Sequence, residues 1–339
     1  MTEKMIQLPL GQLLAKYPFV QDFLQQNRLD TDGYENLSFI EYLKELTEEE
    51  QEDKAIDVQS LPGELESYIG QMMEFLGLDK GSTIQSLTIL PGQNKSGKAE
   101  TFESLEILPS QIVSIVGPTG SGKSRLLADI EWAAQKDTPT GRSILINGQK
   151  PDPKWRYSPN NKLVAQLSQN MNFVMDVSTS DFLKMHAESR MIERSEEVAA
   201  RILESANRLA GESFSADAPV TSLSGGQSRA LMIADTAILS ASPIVLIDEI
   251  ENAGIDRRKA LELLVSQDKI VLMATHDPLL ALMADRRIVI RNGGIHKVLE
   301  TSAEEKELLQ DLTRIDGIMQ LARTKLREGS GLHREEVLR

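Results

Sequence analysis

The feature that most constrains this chain is a glycine-rich octapeptide at residues 117–124, taken together with what flanks it. It reads Gly-Pro-Thr-Gly-Ser-Gly-Lys-Ser. The apolar run 112–116 leads into it with the composition of a buried strand, and Leu126, Leu127 and Ile130 follow at helical spacing. A strand that enters such a turn and leaves it as a helix predicts an α/β domain with a largely parallel sheet.

The octapeptide has the chemistry of a phosphate-binding loop. Glycines let backbone N–H groups surround phosphate oxygens, and the following helix adds its positive end. Lys123 is expected to bring a cation to the β- and γ-phosphates, and the Ser124 hydroxyl to bind Mg²⁺. The residues predicted to hold the nucleotide here are Gly117, Pro118, Thr119, Gly120, Ser121, Gly122, Lys123 and Ser124.

A second stretch, residues 92–99, repeats the glycine–lysine spacing but lacks the magnesium-binding hydroxyl. It ends in Ala99, and Glu100 follows where an anion site would have no carboxylate. No helical apolar pattern continues from it. We therefore expect a polar hairpin turn at this place.

Three further motifs narrow the class of nucleotide-binding protein. Residues 223–227 read Leu-Ser-Gly-Gly-Gln, Asp248 closes the apolar run 244–247 and precedes Glu249, and His276 follows the apolar run 270–274. In this order, over about residues 84–298, the motifs resemble the ATP-binding cassette (ABC) ATPases. The resemblance implies an α/β fold, a P-loop ABC ATPase core with a mostly parallel central sheet, an antiparallel β subdomain and a helical signature subdomain.

The resemblance also implies roles for these residues. Asp248 would hold Mg²⁺ through water, Glu249 would polarise the attacking water, and His276 would contact the γ-phosphate and help to align that water. Gln169 resembles the family's glutamine loop, which reaches the magnesium and leads to the helical subdomain. Its spacing to the apolar residues that follow favours it over Gln166.

In the family the signature loop acts on the nucleotide bound to the other copy. Ser224 and Gly226, with Gly225 and Gln227 beside them, would thus close over the phosphates held by the partner subunit. Asp256 is expected to keep the family's dimer-communication role. The ligands implied are ATP and Mg²⁺, and the assembly implied is a homodimer or an ABC-type heterodimer.

The chain departs from the family in two places. Family members usually stack adenine on an aromatic residue well before the phosphate loop, but none lies between Leu76 and Thr101. Base recognition is expected to be weak or supplied otherwise, which leaves GTP open. After Asp248 the chain reads Glu-Ile-Glu-Asn-Ala-Gly-Ile-Asp, one residue longer than in transporter ATPases and closer to soluble, non-transporting members.

The two ends lie outside this core. Residues 1–80 carry 17 acidic and 6 basic side chains in short helical patterns, which would suit a basic protein surface, although ordinary solvation of small helices explains them too. The helix that begins near Phe39 is expected to end at the acidic stretch 48–53, which is expected to be without regular helical structure.

An apolar stripe at steps of three and four predicts a C-terminal amphipathic helix that packs on the body or on a second copy. Its members are Leu308, Leu312, Ile315, Met319, Ala322 and Leu326.

These patterns predict three parts. Residues 1–80 form an acidic helical domain proposed for partner docking. Residues 81–300 form the ABC nucleotide-binding domain, with its helical subdomain at about 178–228. Residues 301–339 form the C-terminal amphipathic helix and tail.

Composition removes several classes of function. Cysteine is absent, so there is no disulfide framework, thiolate metal site or cysteine nucleophile. No apolar run approaches the roughly 20 residues that cross a bilayer, and the first residues lack a secretory pattern, so a cytoplasmic location is expected. A net charge of −14 disfavours a nucleic-acid partner.

Four functions remain to be compared. The first is a soluble ABC-type ATPase that remodels or activates a protein partner docked through residues 1–80 and the helical subdomain. The alternative is the energy-coupling ATP-binding subunit of an ABC transporter, which meets the membrane only through a separate chain. A DNA repair or maintenance ATPase ranks below both. A non-hydrolysing switch ranks last, because every motif residue needed for hydrolysis is present.

Overall fold

The chain forms two compact units. The computed structural model describes residues 6–53, 56–75, 84–157, 162–168, 173–192, 194–248, 250 and 254–334. One unit comprises Met1–Thr83, Tyr157–Asn161 and Asp181–Ala200, and the other comprises Ile84–Arg156, Lys162–Ser180 and Arg201–Arg339. The described strands all belong to the second unit, which carries the phosphate loop.

The strands form two sheets. They are β1 Leu87–Leu90, β2 Leu105–Ile107, β3 Ile112–Val116, β4 Ser143–Ile146, β5 Val164–Leu167, β6 Ile244–Asp248, β7 Ile270–Ala274, β8 Arg286–Arg291 and β9 Gly294–Glu300. The larger sheet has the order β5-β6-β7-β3-β8-β9. Its first five strands are parallel, and β9 pairs antiparallel with β8. The smaller sheet, β2-β1-β4, is antiparallel. The predicted mostly parallel sheet with an antiparallel subdomain is confirmed.

The helices are α1 Leu10–Lys16, α2 Val20–Gln26, α3 Phe39–Glu45, α4 Glu48–Asp53, α5 Leu61–Phe75, α6 Lys123–Glu131, α7 Lys154–Tyr157, α8 Thr179–Glu188, α9 Ser195–Leu209, α10 Gly225–Ile238, α11 Arg257–Val265, α12 Pro278–Met283 and α13 Ala303–Arg327. None of the helices in the described part of the chain is both long enough and apolar enough to span a membrane.

The larger sheet is covered on both faces. Because side chains alternate along a strand, Leu246 and Leu272 enter one core together with Leu126 of α6 and residues of the smaller sheet. Val245 and Val271 enter the opposite core, against α10, α11 and α12. Burial on both faces explains why these strands are continuous apolar runs in the sequence.

The register of three strands fixes where the predicted site residues emerge. Ile115 of β3 pairs with Ala274 of β7, and Ala274 pairs with Asp248 of β6. Parallel strands end at a common edge of the sheet. The glycine loop, the segment with His276 and the end of β6 at Asp248 therefore lie side by side at this edge.

The first unit is built around aromatic side chains. Phe23 packs against Phe39 and Tyr68 with ring centroids 6.4 and 5.3 Å apart. Tyr42 is buried and donates a hydrogen bond from its hydroxyl to the Asp30 carbonyl at 2.8 Å. Burial raises the pKa of the Tyr42 phenol to about 12. Met191 packs against this helical core within the same unit.

The expectation that helical structure ends at the acidic stretch after α3 is wrong, because residues 48–53 form α4. Thr47 supplies the start signal: its hydroxyl accepts from the Glu50 amide at 3.3 Å, and the Glu50 carboxylate accepts from the Thr47 amide at 2.9 Å. This reciprocal capping box satisfies two N–H groups at the start of the helix. Acidic residues in its first turn also suit the helix dipole.

The predicted C-terminal helix is present as α13, and none of its residues is buried. It lies beside α12, and two ion pairs attach its start and its middle, Arg287–Glu305 and Arg257–Asp316. Part of the apolar stripe remains exposed, as Ile315 and Leu326 are 51% and 62% accessible. Packing on a second copy therefore stays open for the exposed side.

Candidate functional site

The glycine loop connects β3 to α6 and is shaped by close neighbours. A side chain at Gly117 would place its Cβ 2.5 Å from the Ile290 carbonyl oxygen, and one at Gly122 would place it 2.8 Å from Gly293 Cα. Gly122 also has φ of 110° and is the N-cap of α6, a conformation that side chains with a Cβ avoid. The loop can pack against the β8–β9 turn only with glycine at these positions.

Lys123 is held inside this loop. It is 9% exposed, and its ammonium donates to the Gly117 carbonyl at 3.0 Å and to His276 Nε2 at 2.9 Å. An ammonium has no acceptor, so Nε2 of His276 must be the acceptor and the ring proton of the neutral imidazole must be on Nδ1. The structure thus brings together two predicted site residues that are far apart in sequence.

Two of the three predicted metal-binding residues, Ser124 and Asp248, belong to elements that meet at this edge of the sheet. Ser124 is exposed in the first turn of α6, and Asp248 is half-buried at the end of β6. Within the described ranges, no group of three or more His, Asp or Glu side chains could hold a metal by itself. This donor set fits Mg²⁺, which commonly takes one carboxylate, water and substrate phosphates. Gln169 and Glu249 lie outside the described residues, so their roles stay predictions.

The Leu-Ser-Gly-Gly-Gln motif starts a helix. Ser224 is the N-cap of α10: its hydroxyl accepts from the Gln227 amide at 3.3 Å, and the Gln227 side chain accepts from the Ser224 amide at 2.9 Å. Gly225 and Gly226 form the first turn, and the backbone at Gly225 is exposed. Because these two glycines leave the backbone N–H groups of the first turn accessible, this exposed helix N-terminus is suited to bind an anion from another molecule. The predicted action on a partner's nucleotide stays a prediction.

Asp256 caps α11 in this chain. Its carboxylate accepts from the Lys259 amide at 3.1 Å and pairs with the Lys259 ammonium at 3.1 Å. Its own amide donates to the Leu209 carbonyl at 2.8 Å. The segment that follows β6 is thereby tied to the end of α9. The dimer-communication role of Asp256 is not tested by these contacts.

Arg257 was not anticipated from the sequence. Its guanidinium bonds Asp277, the neighbour of His276, and Asp316 of α13 at 3.0 Å. Asp277 also accepts from the Leu279 amide at 2.8 Å as the N-cap of α12. One arginine therefore links the segment of His276 to the C-terminal helix. The local signal was weak, because charged residues in an exposed helix turn are common.

Residues 92–99 form the expected hairpin turn. Gln93 and Ala99 pair antiparallel, and the Asn94 amide donates to the Lys98 carbonyl at 2.9 Å. The turn also contacts the phosphate loop, since Lys95 Nζ donates to the Gly120 carbonyl at 2.9 Å. That contact was not expected for a lysine in a polar turn.

A buried ion network lies beneath the loop. The Arg142 side chain is fully buried and pairs with Glu100 at 2.5 Å and with Asp129 of α6 at 2.9 Å. Its guanidinium also donates to the Gly293 carbonyl at 3.0 Å, and Thr140 donates to Asp129 at 2.8 Å. The hairpin, α6 and the β8–β9 turn are thus joined through one side chain.

Comparison with known proteins gives consistent matches. A family model described as ABC transporter matches residues 103–252. An uncharacterized ABC transporter ATP-binding protein of Methanocaldococcus jannaschii is 51% identical over 254 residues, which is 75% of this chain and 97% of that protein. About a quarter of this chain therefore lies outside the alignment.

Two more distant relatives are matched over less than half of their own length. The macrolide export ATP-binding/permease protein MacB of Salmonella typhi is 31% identical to this chain over 212 residues. These residues are 60% of this chain and 32% of that protein. The cobalamin import ATP-binding protein BtuD of Halobacterium salinarum is 26% identical over 56% of this chain and 48% of its own length. The structure of cbiO1 from Clostridium perfringens superposes with a TM-score of 0.49 at 21% identity, covering 72% of this chain and 99% of that one.

Proposed function

This chain belongs to the ABC transporter ATP-binding proteins and is an ABC ATPase, and from that premise we propose that it is the ATP-hydrolysing subunit of a transporter whose membrane part is a separate chain. The observation that carries the proposal is the 51% identity to an ABC transporter ATP-binding protein matched over 97% of its length. That match favours the transporter alternative over the remodelling of a soluble client.

The loop side chains bind the triphosphate in this proposal. Backbone N–H groups of residues 117–124 surround the phosphates, and Lys123 leaves the Gly117 carbonyl to pair with the β- and γ-phosphates. The lysine is already buried within the loop, so little side-chain freedom is lost when ATP binds.

His276 and Glu249 act on the attacking water. His276 already contacts Lys123 at 2.9 Å, so a γ-phosphate held by this lysine lies within reach of the imidazole. Glu249 follows Asp248 at the end of β6 and would accept a proton from the water as a general base. Mg²⁺, when bound through Ser124, Asp248 and, as the resemblance implies, Gln169, would neutralise charge that develops on the phosphates.

The second half of each site comes from a second copy. Ser224 and Gly226 at the start of α10 would donate to the γ-phosphate bound at the partner subunit's phosphate loop. The exposed start of α10 supports this head-to-tail arrangement. Hydrolysis would then depend on dimer closure, and Asp256 would lie near the interface.

A second candidate function keeps the same hydrolysis but replaces the membrane subunit by a soluble protein client. Its support is the compact unit that the acidic residues 1–80 form with part of the helical subdomain, residues 181–200. In the family this subdomain contacts partners. An acidic helical extension packed with it would present a docking surface that a minimal transporter ATPase lacks.

Purification of the tagged chain from detergent-solubilised membranes and from the membrane-free extract separates the two candidates. The transporter proposal predicts that a multi-span membrane protein co-purifies and raises the ATPase rate when both are placed in lipid vesicles. A Lys123→Ala chain is the control, since it should bind the same protein without hydrolysis. Recovery of a soluble, ATPase-stimulating client alone would support the second candidate and overturn the first.

A further inference from the structure

The hairpin at residues 92–100 places a lysine against the phosphate loop. Lys95 Nζ donates to the Gly120 carbonyl at 2.9 Å, and the Lys95 amide donates to the Asn292 carbonyl at 2.8 Å. The side chain therefore lies between the β8–β9 turn and the loop. Lys123 contacts the same loop at a different carbonyl, that of Gly117.

The path of the Lys95 side chain depends on Gly293. A Cβ at Gly293 would lie 2.7 Å from Lys95 Cγ, so a larger residue there would displace the lysine. Gly293 has φ of 79°, which also favours glycine. The Gly293 amide donates to the Ser121 carbonyl at 2.6 Å. The hairpin, the β8–β9 turn and the loop thus form one continuous set of contacts.

The base of the hairpin is fixed by a buried carboxylate. Glu100 accepts from the Gly92 amide at 2.8 Å, from Arg142 and from the Ile295 amide. Its partner Arg142 is fully buried. Both oxygens of the Glu100 carboxylate therefore accept hydrogen bonds, and a buried carboxylate held in this way restrains the base of the hairpin. The ammonium of Lys95 is therefore presented to the loop by a preorganised support.

We propose that Lys95 is a nucleotide-contacting residue, and that through it the site recognises the polyphosphate with little discrimination between purine bases. The proposal rests on the proposed function, since it assumes that the loop binds nucleotide. An ammonium has a stronger partner in a phosphate oxygen than in a neutral carbonyl. Rotation of its four-carbon stem can move it from the Gly120 carbonyl to a phosphate held by the same loop.

The hairpin sequence explains the weak base discrimination. Residues 92–100 read Gly-Gln-Asn-Lys-Ser-Gly-Lys-Ala-Glu, so this element offers a cation and no aromatic ring for stacking. A cation that pairs with phosphate contributes equally to the affinity for ATP and to the affinity for GTP. One charge-assisted contact of this kind is expected to change affinity by about tenfold to a hundredfold.

The test measures the binding of MgATP, MgGTP and inorganic triphosphate to five full-length chains by calorimetry. Wild type should bind ATP and GTP within about threefold of each other. Lys95→Met should weaken all three ligands by at least about tenfold, with a smaller dependence on salt. Lys98→Met, a charge removal in the same exposed turn, should match wild type within about twofold. Lys95→Tyr supplies an aromatic ring for stacking on the base, so it should regain affinity for ATP and GTP but not for triphosphate.

Two outcomes would overturn the proposal. If Lys95→Met binds all three ligands as wild type does, with or without a lower Tm, Lys95 is only a structural contact of the loop. If it weakens ATP and GTP but not triphosphate, Lys95 reads the base instead. Failure of the wild-type chain to bind any of the ligands would instead overturn the proposed function itself. Lys123→Met is the reference for a chain without phosphate binding.

Discussion

Lys123 Nζ and His276 Nε2 are 2.9 Å apart, so the cation of the phosphate loop and the imidazole that follows β7 are direct neighbours. The two residues lie in segments that follow adjacent strands, since β3 pairs with β7. A phosphate that binds Lys123 therefore enters the reach of His276 without a large movement of the backbone.

Substitution of His276 by alanine should separate binding from hydrolysis. The contact with the Gly117 carbonyl, which orients Lys123 until a phosphate replaces that carbonyl, does not involve His276, so the Kd for MgATP should change by less than about threefold. Turnover should fall by about a hundredfold, because the attacking water loses a positioning group. Calorimetry and steady-state phosphate release measure the two effects. Unchanged turnover would remove His276 from the mechanism.

Substitution of Arg257 by alanine should loosen both the His276 segment and α13. Asp277 and Asp316 would lose their common partner, each in a partly buried setting, which should lower the free energy of unfolding by about 1–3 kcal/mol. Arg258→Ala is the matched control in the same helix. Its ion pair with Glu262 is exposed, so its effect should stay below about 0.5 kcal/mol. Equal losses in chemical denaturation would contradict this assignment.

Substitution of Arg142 by methionine should be among the most damaging single changes. It leaves the carboxylates of Glu100 and Asp129 buried without their cation, which is expected to cost about 3–5 kcal/mol. Arg194→Ala removes an exposed ion pair with Glu197 and should cost less than about 0.5 kcal/mol. Calorimetric unfolding compares the two variants. A loss of under about 1 kcal/mol for Arg142→Met would show that the network is not structural.

Acidification should weaken the attachment of α13. The hydrogen bond from Arg287, followed by that from the Ser302 amide, lowers the pKa of Glu305 from its ordinary 4.5. A lowered pKa in the folded state stabilises the fold above the unfolded value and loses this effect as pH falls through the folded value. The Tm difference between wild type and Glu305→Gln should thus be full at neutral pH and shrink below 4.5.

The control for this pH dependence removes the main cause of the shift. In an Arg287→Met background, Glu305→Gln should have a much smaller pH-dependent effect on Tm, because Arg287 is the largest cause of the lowered pKa. A Tm difference that is unaffected by Arg287 would assign the shift to another group.

The elements that could be predicted from the sequence are those with a local pattern. Glycine spacing identifies the phosphate loop, and doubly covered strands such as β6 and β7 are continuous apolar runs. The start of α4 also had a local signal, the Thr47–Glu50 capping box, which the density of acidic residues concealed. The stripe on α13 predicted the helix but not which of its sides meets the body.

The contacts that could not be predicted join cations to partners far along the chain. Lys95 and the Gly120 carbonyl are 25 residues apart, Arg142 and Glu100 are 42 apart, and Arg257 and Asp316 are 59 apart. No periodicity marks such pairs, because a single charged residue in a turn has the same local sequence whether it is solvated or paired. They become visible only when the strand order places the turns together.

The most direct test of the account is complementation between two inactive chains. Lys123→Ala removes the cation of the phosphate loop, and Gly226→Asp places a carboxylate in the signature turn. Each variant alone should therefore be inactive. In a head-to-tail dimer of the two, one site combines an intact loop with an intact signature. An equal mixture should therefore recover up to roughly a quarter of the wild-type ATPase rate, since half of the random dimers carry one intact site of two. A mixture no more active than its separate components would contradict the shared site.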